Sequence, residues 1–191
     1  MNKNYKILCF WLFVVFGGVS IGISIMYRDI NNGFGTITYG KLPPFILTDT
    51  DGKVVRIDNT SNKIRIANFI SFNYSHNPKV LLHLQSINSI VEQFKDESRV
   101  EFVSFFIKSD NTDQNYLSNT YKKKNPHWKF FSRNKDQINE IAKICIKKYL
   151  IHSGWDKQLT LVDQNNIIRG YYQTDNSKSL EKLVKDINKL I

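Results

Sequence analysis

One continuous apolar run constrains the fold of this chain more than any other feature. Residues 64–72 read IRIANFISF and are bounded on both sides by polar clusters. A run of this length, rich in Ile and Phe, is typical of a strand buried on both faces of a sheet. The sequence therefore predicts a central strand at residues 64–72.

The segments around this run alternate between strand and helix patterns. In chain order the predicted elements are two short strands around a turn at Asp51 and Gly52, the central strand, a helix from Pro78, a strand at residues 100–107, helices at 112–124 and 135–150 with a short apolar segment at 128–131 between them, a hairpin at 151–172 and a helix at 177–191. Helices that connect apolar strands predict an α/β protein, with a mixed sheet covered on both faces.

Two segments are candidates for a functional site. In open α/β sheets, ligands gather at the carboxyl ends of the strands, and the polar loop at residues 73–78 follows the central strand and leads into a helix. In the hairpin, residues 163–166 supply an Asp/Asn turn, and His152 lies in a Ser/Gly-containing segment just before the first strand. We therefore expect a histidine at the mouth of the sheet.

The first part of the chain predicts a membrane anchor. Residues 7–26 are mostly apolar, with Lys3 and Lys6 in front of them. A run of about 20 such residues is long enough to cross a bilayer, and the preceding lysines favour a cytoplasmic amino terminus. We predict a signal anchor at residues 1–28, a linker at 29–41 and a domain at 42–191 on the extracytoplasmic side of the inner membrane. A cleaved signal peptide is the alternative.

Composition narrows the functional classes. The formal net charge is +10, spread over short runs without a Gly/Arg-rich or RNA-binding motif. We therefore predict no nucleic-acid partner and a basic surface suited to an anionic membrane or an acidic protein. The two cysteines, Cys9 and Cys145, lie in the apolar run and in a predicted helix, so they supply neither a disulfide framework nor a CxxC pair.

Four stretches, in this order, resemble the Sco/SenC family. They are PPFILTDTDGKVV, IANFISF with its following loop and NPKV, VEFVSFFIKSDNTDQNYL, and IHSGWDKQLTLVDQNNIIRGYY, and the last is most similar to forms from Bacteroidetes-type bacteria. Members of this family are membrane-anchored, thioredoxin-like proteins that deliver copper to cytochrome c oxidase. The resemblance thus implies a thioredoxin-like sheet flanked by helices, a copper cofactor, and the copper-site subunit of the oxidase or other respiratory assembly factors as partners.

The resemblance also implies where a metal site lies. Family members bind copper through two cysteines of a CPxxCP loop and a later histidine, which corresponds to His152. Both cysteines are missing here. Alignment on the proline places Asn73 and Asn77 at the cysteine positions, whereas an ungapped count from the preceding strand places Tyr74 and Pro78 there. The acidic residue that the family carries after its next strand is also replaced, by Lys108.

This loop cannot supply a thiolate, and an amide oxygen is a poor copper ligand. Two interpretations remain open. His76, inside the loop, and His152 form a two-histidine site for Cu(II) or Zn(II), completed by His83, or else His76 and His83 are exposed polar residues of a degenerate loop. Cys145 is expected at a core position of its helix, where a thiol behaves as a small apolar group.

Two functional hypotheses follow. The first is a Sco-like accessory protein of respiratory copper assembly that is degenerate in copper and thiol chemistry. The second is a non-catalytic thioredoxin-like module that binds a partner near the membrane. Thiol redox catalysis is not expected, because it needs a thiolate at the head of the helix and none is present there.

Overall fold

The computed structural model describes residues 38–49, 51–58, 62–71, 78–107, 120–121, 125–131, 135–146 and 157–191. In chain order they form β1 (Phe45–Thr48), β2 (Val54–Ile57), β3 (Ile64–Ser71), α1 (Pro78–Gln93), β4 (Val100–Ile107), β5 (Trp128–Phe131), α2 (Lys135–Cys145), β6 (Gln158–Val162), β7 (Ile168–Gln173) and α3 (Ser177–Leu190). Within these ranges no helix is long and apolar enough to cross a membrane. The predicted membrane segment, residues 7–26, lies outside them, and the predicted division of the chain at residues 28 and 41 stays a prediction.

Strand β3 lies at the centre of a five-stranded sheet with the order β5-β4-β3-β6-β7. It pairs in parallel with β4 along its whole length, from Ile64 opposite Val100 to Ser71 opposite Ile107. On its other side it pairs antiparallel with β6. The predicted central strand is therefore confirmed, and so is the prediction that the later hairpin joins the same sheet.

Both faces of β3 are buried, as its apolar sequence requires. Ala67 and Phe69 belong to a core cluster that includes Ile138, Ile141 and Cys145 of α2. Side chains alternate between the faces of a strand, and Ile66 and its neighbours on the opposite face are equally buried. The sheet is thus covered on both sides, which confirms the mixed α/β architecture.

The helices begin where their sequence signals predict. Helix α1 begins at Pro78, a residue suited to the first helical turn because it lacks only a backbone N–H that has no intrahelical partner there. Helix α3 is capped by Asn176, whose side chain accepts a hydrogen bond from the Ser179 backbone N–H at 3.1 Å. Helix α2 ends at Cys145, Ile146 follows it, and residues 147–150 of the predicted helix lie outside the described residues. The same is true of the predicted helix at 112–124, except for residues 120–121, which are helical.

Both predicted turns have the expected backbone. In the β1–β2 turn, Gly52 has φ +84° and its N–H donates to Asp49 O at 3.0 Å. In the β6–β7 turn, Asn166 has φ +62°, a left-handed conformation that Asn tolerates. The segment before β1 also reaches the hairpin, where Leu42 N donates to Asn166 O at 2.8 Å and Tyr39 N donates to Ile168 O at 3.1 Å.

A buried ion network attaches the hairpin turn to the centre of the sheet. The guanidinium of Arg65, on β3, donates to Glu101 Oε2 and to Asn166 Oδ1, each at 3.2 Å. Lys129 of β5 pairs with the other oxygen of Glu101 at 2.5 Å. A buried charge costs several kcal/mol unless it is paired, so this network strongly disfavours any other position of the turn.

Asp186, the buried carboxylate of α3, predicts an acid-sensitive contact with β7. It accepts hydrogen bonds from Tyr172 Oη at 2.7 Å and from Lys189 Nζ at 3.1 Å, and Lys182 is a further partner. Burial by itself raises the pKa of Asp186, but the bonds from Lys182, Tyr172 and Lys189 outweigh it and hold that pKa below its ordinary value.

We expect Asp186→Asn to lower the free energy of unfolding by about 1–3 kcal/mol near neutral pH. Because the pKa is lower in the folded state, the stabilisation is complete above the unfolded-state value of 3.8 and is lost as the pH falls through the folded-state value. Urea unfolding of both proteins at neutral pH and near pH 3 tests this. A stability difference that persists unchanged in acid contradicts the prediction.

Candidate functional site

The end of β3 and the beginning of β6 lie at one edge of the sheet. Strand β3 ends at Ser71 and α1 begins at Pro78, so the predicted loop connects them. Strand β6 begins beside the carboxyl end of β3, where Leu159 pairs with Asn68. The predicted site residues Asn73, Tyr74, His76, Asn77 and His152 lie outside the described residues, and only Pro78, the first residue of α1, lies within them. Their proximity stays a prediction.

His83 of α1 takes part in a buried contact at this edge. Only 8% of its surface is exposed, and its Nδ1 is hydrogen-bonded to the Thr174 hydroxyl, just after β7. The interpretation of His83 as an exposed polar residue is therefore wrong. The physical reason is its place on the helix, since His83 precedes Ile87 and Ile90 by four and seven residues and so shares their buried face.

Thr174 extends this contact to the start of β6. Its backbone N–H donates to Lys157 O at 2.9 Å, and its hydroxyl donates to the same oxygen at 3.2 Å. A hydroxyl has one proton, so with that proton on Lys157 O it accepts from Nδ1–H of His83. Hydrogen bonds from His83 through Thr174 to Lys157 thus join α1 to the residue directly before β6.

A surface cavity of about 350 Å³ lies over these residues. It is lined by Leu82, His83 and Ser86 of α1, by Lys157 before β6, and by Thr174 and Asp175 after β7. Lys157 Nζ and the Asp175 carboxylate form an ion pair of 2.7 Å at its rim. Residues of α1, the residue before β6 and the residues after β7 therefore form one concave site, which has buried polar groups and an exposed ion pair.

Cys145 lies on the opposite side of the sheet, in the core. It is fully buried, and burial raises the pKa of its thiol to about 12. Its carbonyl oxygen accepts from Gln158 Nε2 and from Thr160 Oγ1, each at 2.9 Å. The expected core position is confirmed, and a neutral thiol in this place is neither a nucleophile nor a metal ligand.

Among the described residues, no group of three or more His, Cys, Asp or Glu side chains is arranged to hold a metal ion. The polar site that the structure does form was only partly anticipated. The helical spacing of His83 with Ile87 and Ile90 was a usable signal for its burial. No local pattern indicated Thr174 or Lys157, because they reach His83 only through the pairing of β6 and β7.

Comparisons with known proteins agree on the architecture. No protein-family model and no curated protein matches the sequence. Among solved structures, a SCO1/SenC family lipoprotein from Bacillus anthracis has 18% identity and a TM-score of 0.57, with 78% of this chain and 94% of that chain covered. Arabidopsis thaliana ScoI with copper bound has 17% identity and a TM-score of 0.54, with 78% and 99% covered.

The chain has a thioredoxin-like fold, similar to that of these Sco proteins. The thioredoxin domain of a thiol-disulfide oxidoreductase from Bacteroides vulgatus is also similar, with 15% identity, a TM-score of 0.53, and 80% and 99% of the two chains covered. At such identities the likeness establishes the fold, whereas activity depends on the residues placed on it.

The contact between Thr174 and His83 predicts a stability effect. Thr174→Val removes the acceptor of the Nδ1 proton of His83 and one donor to Lys157 O, so we expect the free energy of unfolding to fall by about 1–3 kcal/mol. Thr48→Val on β1 is the matched control, because Thr48 is half-buried and Val suits a strand. Urea unfolding measures both, and equal stability of the two variants refutes the structural role of the hydroxyl.

The burial of Cys145 predicts an unreactive thiol. In the chain with Cys9→Ser, iodoacetamide at about pH 8 meets a thiol whose thiolate fraction is on the order of one in 10,000, because its pKa is about 12. We expect alkylation of Cys145 to be very slow in the folded protein and fast in guanidinium chloride, as followed by mass spectrometry. Rapid alkylation of the folded protein disproves this.

Proposed function

We propose that this chain is a membrane-anchored Sco/SenC-like protein of cytochrome c oxidase assembly that acts without thiol chemistry of its own. The supporting observation is the fold, in which β3 ends and β6 begins at the same edge of the sheet. The loop after β3 and the segment before β6 carry the family ligand positions by resemblance, including His152. Two of the similar solved structures are Sco proteins described with copper bound, which makes copper the metal to test.

The donors in this chain do not fit a thiolate copper site. Asn73 and Asn77, or Tyr74 and Pro78, stand at the two cysteine positions. Of the cysteines present, Cys145 is buried with a pKa of about 12, and Cys9 lies in the apolar run predicted to be the anchor. Cu(I) selects thiolate or thioether donors, and a disulfide needs two thiols within reach, so neither Cu(I) delivery by a thiolate pair nor disulfide exchange is part of the proposed function.

The remaining donors are imidazoles. We propose that His76 and His152 form a weak Cu(II) or Zn(II) site, because imidazole is a suitable ligand for both ions. Because the Nδ1 of His83 is hydrogen-bonded to Thr174, any metal bond of His83 would have to use Nε2. The proposed role is therefore mainly that of a docking or accessory partner, with at most weak metal binding.

A thioredoxin-like module that only binds a partner is the second candidate. It is favoured by the surface cavity at Leu82, His83 and Thr174, which needs no metal or thiol to bind a ligand. In both cases residues 1–28 anchor the domain and place it on the extracytoplasmic side. Oxidase or copper genes beside the coding gene favour the first candidate, and their absence favours the second.

Cu(I) competition tests the first candidate. We expect the Cu(I) affinity of the full chain to be more than roughly 100-fold lower than that of its Asn73→Cys, Asn77→Cys variant. Loss of even an outer-shell partner lowers metal affinity by about 10–100-fold, and here two direct ligands are missing. The measurement is competition with a chromophoric Cu(I) chelator. The Tyr74→Cys, Pro78→Cys variant tests the other alignment.

His152→Ala in the two-cysteine variant is the control, and we expect it to weaken the restored site. If the unmodified chain holds Cu(I) against the strong chelator, the proposal of a protein without thiol copper chemistry fails. If neither cysteine pair binds Cu(I) more tightly than the unmodified chain does, the inherited position of the site is refuted.

A further inference from the structure

The cavity between α1 and the ends of the β6–β7 hairpin has the properties of a binding site. Its volume of about 350 Å³ falls within the range of about 300–1,000 Å³ that is usual for small-ligand sites. Its base is preformed, because His83 and Thr174 are both buried and hydrogen-bonded to each other, and Thr174 is bonded twice to Lys157 O. A ligand would therefore bind there without having to order the base.

The rim combines an exposed apolar side chain with a serine hydroxyl. Leu82 is 62% exposed although its neighbours on α1 include the buried His83 and Leu84. Ser86, one turn further on, also lines the cavity, and its hydroxyl donates to Leu82 O at 3.0 Å. A hydroxyl oxygen can in addition accept hydrogen bonds. Covering an exposed leucine side chain with an apolar group is favourable because it removes apolar surface from water.

The charges at the rim select against strongly charged ligands. Lys157 and Asp175 form an ion pair of 2.7 Å with side chains that are 43% and 54% exposed. Such an exposed pair is weakly held, because water screens its charges, and both side chains remain accessible to a ligand at the rim. Because the two charges cancel, a group with one donor and one acceptor complements the rim better than an anion does. A peptide group is such a group, since its C=O can accept from Lys157 while its N–H donates to Asp175.

We propose that this cavity binds an apolar side chain and the adjoining peptide groups of a segment of a partner protein. Leu82 covers the apolar side chain, and Lys157 and Asp175 bond the peptide C=O and N–H. The inference goes beyond the proposed role in oxidase assembly and uses no metal ligand, so a failed copper experiment leaves it standing.

Titration of the ¹⁵N-labelled full chain, held in lipid nanodiscs, tests this proposal by NMR. The probe is N-acetyl-L-leucine N-methylamide, which carries one apolar side chain between two peptide groups. We expect saturable shifts in the millimolar range at the backbone amides of Leu82, Ser86, Lys157 and Asp175. N-acetylglycine N-methylamide, which lacks the side chain, is expected to bind at least about tenfold more weakly, which corresponds to about 1.4 kcal/mol.

Matched surface variants complete the test. Leu82→Ser is expected to abolish the saturable shifts, whereas Ile46→Ser, at an apolar residue of β1 that is 52% exposed, is expected to leave them unchanged. The proposal is overturned if no saturable shift occurs, if the glycine probe binds equally well, or if Leu82→Ser retains binding. Equal shifts with sodium acetate or inorganic phosphate would show a simple anion site and would also overturn it.

Discussion

The antiparallel pairing of β6 with the central strand β3 is the interaction on which the rest of the structure depends. It places the beginning of β6 beside the end of β3, where Leu159 lies opposite Asn68. Because β7 returns antiparallel to β6, its last residue, Gln173, lies opposite Gln158 at the same edge. The end of β3, the beginning of β6 and the end of β7 therefore meet at one edge, although Ser71 precedes Gln158 by 87 positions and Gln173 by 102. Every candidate site in this protein is a consequence of that pairing.

Buried polar contacts hold the β6–β7 hairpin at both of its ends. At the turn, Arg65 joins Glu101 of β4 to Asn166. At the open end, Thr174 joins His83 to the backbone of Lys157. An isolated polar group buried without its partner costs about 1–3 kcal/mol, and a charged one costs more, so each contact penalises a shifted hairpin beyond the loss of apolar packing. Burial provides most of the stabilisation, and these polar contacts specify the register.

The residues placed at the site edge, rather than the fold, decide which chemistry is possible there. Burial raises the pKa of the Cys145 thiol to about 12, so this thiol is unreactive. Residues 73–78, which follow β3, contain no cysteine. What the edge retains is a rigid polar base, an exposed leucine and a neutralised ion pair. The proposed recognition of a partner fits such a surface, because recognition needs preorganised shape and complementary polar groups but no reactive atom.

The sequence by itself determined the elements whose signals are local. The apolar run of β3, the proline that begins α1, the Asp-Gly turn after β1 and the left-handed Asn166 each depend on neighbouring residues, and each could be predicted. It also determined that the loop after β3 has no thiol. Only the tertiary structure decided the order of the strands and the contact of His83 with Thr174, because strand order is set by long-range pairing and Thr174 lies 91 positions after His83 in the chain. A sequence pattern reports which face of a helix is apolar, whereas the partner of a polar residue on that face is chosen by the packing of the whole domain.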